Sequence, residues 1–369
     1  MTAGALLFAL DLSHGPWEQA QRNDSLHRAV ARTLEIGRLA DASGIESLWV
    51  SEDPDGWDAL AVLGAIAART GRIRLGTGVV NPFYRHPSLI AASLATLDAL
   101  SGGRAFLGLG RGQTEWYRQA LRIDAGSPLA ALEETFHLLR QWWATPYRAE
   151  APAEATAFPV AHWRRAFGPV QEHPPIYLAA VGPKALDLAA RHADGVIFND
   201  LSSQTFMEEA IARVRHAAAA AGRDPAGIAF LARAAVTVTD DPESVYERRK
   251  ATVAMIHTLP GMERLLATPG YDIAGIIAGV RRVMRTEETL ARGGNLLDLR
   301  SAGDLNAARR LIPTDLMAEL VVAGPAAHVR ARLAEFAAIG ITHVFLAAPA
   351  PNATADSLAA TIEAVQPHS

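Results

Sequence analysis

Residues 72–112, RIRLGTGVVNPFYRHPSLIAASLATLDALSGGRAFLGLGRG, set two short apolar runs on either side of one helical period. Residues 73–80 and 105–110 read as buried strands, apolar and bounded by turn residues. Between them, residues 86–100 space Leu89, Ile90, Leu94, Leu97 and Leu100 at helical intervals. Pro87 stands near the start, and Ser101, Gly102 and Gly103 form the stop. Strand, helix and strand in so short a stretch make a βαβ unit, whose two strands must run parallel.

The same alternation runs along the chain. Strands are expected at 5–10, 45–51, 175–180, 195–198, 228–238 and 341–347. Helices are expected at 26–43, 57–69, 129–143, 185–192, 205–221, 242–257, 325–338 and 354–365. Eight strands separated by helices predict an α/β chain closed into a (β/α)8 TIM barrel, one domain over residues 1–369. A doubly wound open sheet is the alternative, weakened because no GxGxxG follows the first strand. Two stretches break the rhythm. Residues 144–173, proline-rich and without a period, read as an inserted loop after the fourth helix, with at most a short hairpin. A loop of that length is usually functional, such as a lid. Residues 259–312 read as an irregular helical insertion before the eighth helix.

Glycines crowd the strand ends: Gly76 and Gly78 in the third strand, and Gly108, Gly110 and Gly112 in and after the fourth. Glycine weakens a strand, so its repetition marks the close approach of another body, either a flat ligand or a neighbouring element of the protein. In a parallel barrel the chemistry gathers at the C-terminal strand ends. There the sequence places Asp11 and His14, Glu52 and Asp53, Thr77 and Asn81, Arg111 and Gln113, Lys184, and Asn199 with Asp200. Glu52 or Asp53 paired with Asp200 would suit a hydrolase, but that reading leaves the glycines unexplained. The chain has no cysteine, no HExxH and no GxSxG, so thiolate chemistry and the common metal and serine-nucleophile signatures are missing. A net charge of -4 offers no basic surface for nucleic acid or anionic lipid. No apolar run reaches a membrane span, and a cysteine-free chain suits the cytoplasm.

Four stretches together resemble the luciferase-like monooxygenase superfamily, and most closely its coenzyme F-420-dependent branch typified by methylenetetrahydromethanopterin reductase. They are LGTGVVNPFYRHP (75–87), TLDALSGGRAFLGLGRG (96–112), PPIYLAAVGPKALDLAARHADGVI (174–197) and VVAGPAAHVRARLAEFAAIGITHVFL (321–346). The resemblance implies a flavin or deazaflavin at the barrel mouth, F-420 with FMN as the alternative. It also implies a small-molecule substrate, a homodimer and an insertion at 144–173 lying over the mouth. By position it implies a non-prolyl cis bond at Gly78–Val79 behind the cofactor ring. Thr77 and Asn81 would flank that bond, and Gly110, Arg111 and Gly112 would run along the cofactor. Ala179, Ala180, Val181 and Gly182 would form a phosphate-cradling turn, with Asn199 nearby. Glu52, Asp53 and Gln113 are the catalytic candidates. Asp53 takes the place of a histidine that several F-420 enzymes carry beside the ring. Gln113 stands where a sugar-phosphate dehydrogenase of the family has a catalytic glutamate, and glutamine orients without titrating. Trp57, Trp116 and Trp163 are candidate walls for the substrate. Arg85, His86 and Arg104 are expected to fix the third helix. The competing readings are an FMN monooxygenase that uses oxygen and a non-catalytic ligand-binding member.

Overall fold

Every strand of the sheet runs parallel to its neighbours because each return is made by a helix. The computed structural model describes residues 5–13, 25–52, 56–114, 117–124, 126–259, 261–350 and 352–367. Eight strands form the wall: β1 (Leu7–Asp11), β2 (Ser47–Val50), β3 (Arg74–Thr77), β4 (Ala105–Leu109), β5 (Ile176–Ala179), β6 (Gly195–Phe198), β7 (Ala229–Val238) and β8 (His343–Leu346). They pair in sequence order from β1 to β8, and β8 pairs with β1, so the sheet closes into the expected barrel. Ala323–Gly324 adds a short parallel ladder to the end of β7. The helices that clothe the wall are α1 (Leu26–Ser43), α2 (Ala59–Ala67), α3 (Pro87–Ser101), α4 (Pro128–Trp143), α5 (Pro183–His192), α6 (Gln204–Ala220), α7 (Pro242–Ile256), α8 (Ala326–Ile339) and α9 (Ala355–Val365). Their ends follow sequence chemistry. Ser25 caps α1, which stops at Gly44 in the left-handed region. His86 caps α3 through the Ser88 amide, with Pro87 in the first turn.

Inside the wall, Ala9, Trp49, Phe106, Tyr177, Ile197, Leu231 and Phe345 form one cluster, a residue from each strand except β3. Trp49 lies 4.3 Å from Phe106, 5.3 Å from Tyr177 and 5.5 Å from Phe345, measured between ring centres. On β3 the register partner of both Trp49 and Phe106 is Gly76. A Cβ on Gly76 would stand 2.1 Å from the Phe106 ring. Glycine at 76 therefore makes room for an internal ring, not a ligand. Gly76→Ala is expected to destabilise the barrel by ~1–3 kcal/mol through overpacking. The urea midpoint reads this directly, and Phe106→Leu in the same background should recover part of the loss. Below the cluster, at the N-terminal end of the barrel, Arg74 pairs with Glu46 at 3.0 Å, and His343 lies 3.9 Å from the same carboxylate.

The segment at 144–173 is tied to the outer helices. It carries the short hairpin Arg148–Ala149 with Trp163–Arg164 but lies fastened along α3 and α4. Glu134 on α4 accepts the amides of Thr156, Ala157 and Phe158. Asp98 on α3 accepts those of Val170 and Gln171. Arg165 reaches the Ser88 carbonyl at 3.2 Å. Trp163, a candidate substrate wall, sits in this cladding with 59% of its surface exposed. The stretch 259–312 is helical and irregular as expected, in short pieces such as Met262–Leu265, Ile273–Val283 and Thr286–Ala291. No helix among the described residues is long and apolar enough to cross a membrane.

Candidate active site

At the mouth, one layer above the aromatic cluster, the interior becomes small and polar. Thr77 ends β3 and crosses to β4: its hydroxyl donates to the Gly108 carbonyl at 2.8 Å and accepts the Gly108 amide at 3.1 Å. A Cβ on Gly108 would lie 1.9 Å from the Thr77 carbonyl, so this glycine too serves internal packing. The Gly78–Val79 bond is cis, as the resemblance implies. Beyond it the chain stays tied to its neighbours: Glu52 N–H donates to the Val79 carbonyl and Val80 N–H to the Gly108 carbonyl, both at 3.0 Å. Val79 crowds Gly110, where a Cβ would meet it at 2.6 Å and Ala179 at 3.5 Å. Val79, Gly110 and Ala179 therefore form a low, apolar ledge above the rings.

Asn81 spends its side chain on its own turn. Its Oδ1 accepts the amides of Phe83 and Tyr84, and its Nδ2 donates to the Tyr117 hydroxyl at 3.0 Å. Tyr117 opens a single π turn, Tyr117–Leu121. Its hydroxyl leaves no space for a Cβ on Gly112, which has φ +58°. Arg111 is exposed and lies 3.5 Å from the Thr114 hydroxyl. Gln113 is buried and donates to Thr258 at 3.3 Å, which brings the chain just after α7 and before the 259–312 insertion against the site. Gly261, in that insertion, packs against Val181 so closely that a Cβ would stand 2.8 Å away.

Glu52 is almost wholly buried, and both of its oxygens accept from Arg85 at 2.7 Å. Arg85 also reaches Asp58, the cap of α2, at 3.0 Å. The Glu52 hydrogen bonds raise the Arg85 guanidinium pKa above its ordinary value against the opposing effect of burial. Arg85 thus does more than fix the start of α3. Asp53, His14 and Trp116 lie outside the described residues. Trp57 has a buried indole N–H without a partner among the described residues. Asn199 folds its side chain onto the Asp200 amide, and Asp200 pairs with Arg249 of α7. Lys184 is exposed on the first turn of α5.

The turn after β5 differs from all of these. Gly182 caps α5 with φ −74° and ψ 152° and with no side-chain hydrogen bond. Pro183 takes the first helical position, and a Cβ at 182 would meet nothing within 4 Å. This helix start presents backbone donors and the positive end of the helix dipole to open space. Among the described residues no group of three or more His, Asp or Glu side chains could hold a metal ion.

The model of the luciferase-like monooxygenase family matches residues 9–343. The chain belongs to this family. Among its relatives is a 5,10-methylenetetrahydromethanopterin reductase from Methanolobus tindarius, 29% identical over 325 residues, covering 88% of this chain and 92% of the relative. The coenzyme F-420-dependent tetrahydromethanopterin reductase of Methanopyrus kandleri has the same fold. Its TM-score is 0.73 at 23% identity, over 98% of this chain and 99% of that one. The oxygenating component of a type II Baeyer–Villiger monooxygenase from Pseudomonas putida, solved with FMN, matches with a TM-score of 0.62 at 17% identity. That match covers 98% of this chain and 96% of that one. The luciferase-like fold is therefore shared by proteins solved or named with either cofactor.

Sequence reasoning missed Arg233, Ser51 and Thr258 at this luciferase-like mouth. Only Arg233 carried a signal. It is a lone charge in the strand Ala229–Val238, two residues beyond the inward-facing Leu231.

Proposed function

We propose that the chain is an oxidoreductase that passes a hydride between coenzyme F-420 and a small organic substrate, both held at the C-terminal mouth of the barrel. The observation that carries this reading is the open, uncapped helix start at Gly182, which suits the coenzyme's phosphate. The ledge of Val79, Gly110 and Ala179 suits a flat ring, because nothing larger than valine rises from it. Similarity to an F-420-dependent reductase supports the same cofactor. When bound, the coenzyme supplies the hydride chemistry, and the protein binds and orients it.

The protein's own part divides by position. Val181 and Gly182, with Ala180 behind them, receive the phosphate at the start of α5. Gly78, Val79, Gly110 to Gly112 and Asn199 line the ring side, and Thr77 and Asn81, buried behind them, brace the backbone there. Glu52, buried and held by Arg85 through both oxygens, fixes the turn after β2 beside the ring edge. Because Glu52 is committed to Arg85, proton transfer falls to Asp53. Gln113 is steadied by Thr258 and orients the substrate.

The test is titration of the purified protein with oxidised and reduced F-420 and FMN, followed by fluorescence quenching. Binding of F-420 on the order of micromolar, with much weaker FMN binding, is expected. The reverse preference would make the chain an FMN monooxygenase with oxygen as co-substrate. Binding of neither would remove the enzymatic reading.

A further inference from the structure

The mouth layer contains a closed polar ring that packing alone does not call for. β7 and β3 stand on opposite walls of the barrel, four strands apart in either direction. On β7, Ala232 pairs with Val344 and Val236 with Leu346, so the strand bulges between them, and Ala235 there has φ +47°. Such a bulge re-aims a side chain. Arg233, within it, crosses the barrel and donates to the Gly78 carbonyl at 2.7 Å and to the carboxylate of Asp11. Asp11 accepts from the Ser13 amide at 2.9 Å and from its hydroxyl. The Ser13 hydroxyl accepts the Ser51 amide at 2.8 Å, and the Ser51 hydroxyl donates to the same Gly78 carbonyl. The ring of groups is thereby complete.

An enclosed ion pair is commonly no better for stability than apolar residues of the same volume. The layer directly below is apolar and aromatic, and the Arg233 guanidinium lies 5.6 Å above the Phe345 ring. A charge is thus placed where rings would fill the space. Among the described residues, the one group it holds on the far wall is the carbonyl immediately before the Val79 ledge. Arg233 is enclosed yet keeps 17% of its side chain open. Burial lowers its pKa to about 10, which leaves it a cation at neutral pH. A planar, two-pronged guanidinium can hold a carbonyl and a carboxylate together, whereas a lysine ammonium on its shorter reach cannot copy both contacts.

We propose that Arg233 is a positioning residue for the bound cofactor ring: it fixes the Gly78 carbonyl, and with it the height of the Val79 ledge, while Asp11 fixes Arg233. The inference rests on the mouth being a flavin-type site. It assigns ring placement to a residue that stands on the wall opposite the ledge.

The experiment compares wild type, Arg233→Met, Arg233→Lys, Arg233→Ala and the double variant Asp11→Asn/Arg233→Met. The probe is F-420, or FMN if the wild type prefers it. Dissociation constants, the absorption spectrum of the bound ring and thermal midpoints are measured. Arg233→Met should weaken binding at least ~10-fold, the scale expected when a bound group is misplaced by a fraction of an ångström. The double variant removes both charges. It should regain thermal stability but remain weak in binding, with a shifted spectrum. Arg233→Lys should recover little. Millimolar guanidinium should restore binding to Arg233→Ala, and equimolar sodium chloride should not. A double variant with wild-type affinity and spectrum would overturn the proposal, because Arg233 would then only neutralise Asp11. Should Arg233→Met fail to fold, the double and lysine variants decide by the same criteria. A wild type that binds neither ring would withdraw the proposal together with the functional reading, an outcome distinct from binding by all variants alike.

Discussion

Replacing Gly182 with valine should weaken cofactor binding at least ~100-fold while leaving the protein as stable as before, the loss expected when two or more charge-assisted hydrogen bonds go. The two halves of this expectation come from separate observations. The residue is exposed, its φ of −74° is ordinary for any amino acid, and a Cβ there would touch nothing within 4 Å. Valine is a poorer N-cap than glycine, but the reduced freedom of the unfolded chain offsets this, so stability should stay within ~1 kcal/mol. The bulk instead enters the space before the α5 amides that an anion would fill. Calorimetric or fluorescence titration beside a urea melt checks both halves. Unchanged affinity in Gly182→Val would move the phosphate elsewhere.

The second large effect is on stability. Arg85→Met should cost ~3–5 kcal/mol, because it leaves Glu52 buried without its cation. The side chains of Glu52 and Arg85 are 2% and 12% exposed, and the contact is two-pronged. Arg85 also draws Asp58 in at the start of α2, so its loss loosens two segments beside the mouth. By contrast Arg38 and Glu35, 59% and 53% exposed, form a pair worth at most ~0.5 kcal/mol. Urea unfolding of Arg85→Met, Glu52→Gln and the double variant forms a cycle. The double variant should be markedly more stable than Arg85→Met alone. Additive losses would show that the two residues act independently.

The barrel was legible because alternation of strand and helix is a long, repeated signal. The helix at 26–43 and the strand at 195–198 fall where expected. The expected strand at 73–80 is interrupted and not simply continuous: the regular ladder runs to Thr77, the cis Gly78–Val79 bond breaks it, and pairing resumes where Val80 bridges Leu109. Glycine by itself was ambiguous. Gly76 answers to Phe106, Gly108 to the Thr77 carbonyl, and Gly182 to empty space, yet all three read alike in the chain. What separates them is the neighbour across the sheet, which local pattern does not encode. The fastening of 144–173 was hidden for a related reason. A carboxylate such as Glu134 that accepts backbone amides leaves no spacing to recognise. The Asp11–Arg233 pair joins residues 222 positions apart and depends on a bulge inside an unbroken β-type run.

The aromatic plug of Trp49, Phe106, Tyr177 and Phe345 has a consequence for handedness. The rings close the barrel beneath the ledge, so on the proposed reading a flat ring set there would turn one face to protein and the other to arriving molecules. Two-electron exchange would then proceed from a single side. A prochiral carbon would then always meet the same face, so stereospecificity in the product would follow from the packed layer below the ledge before any side chain selects a substrate.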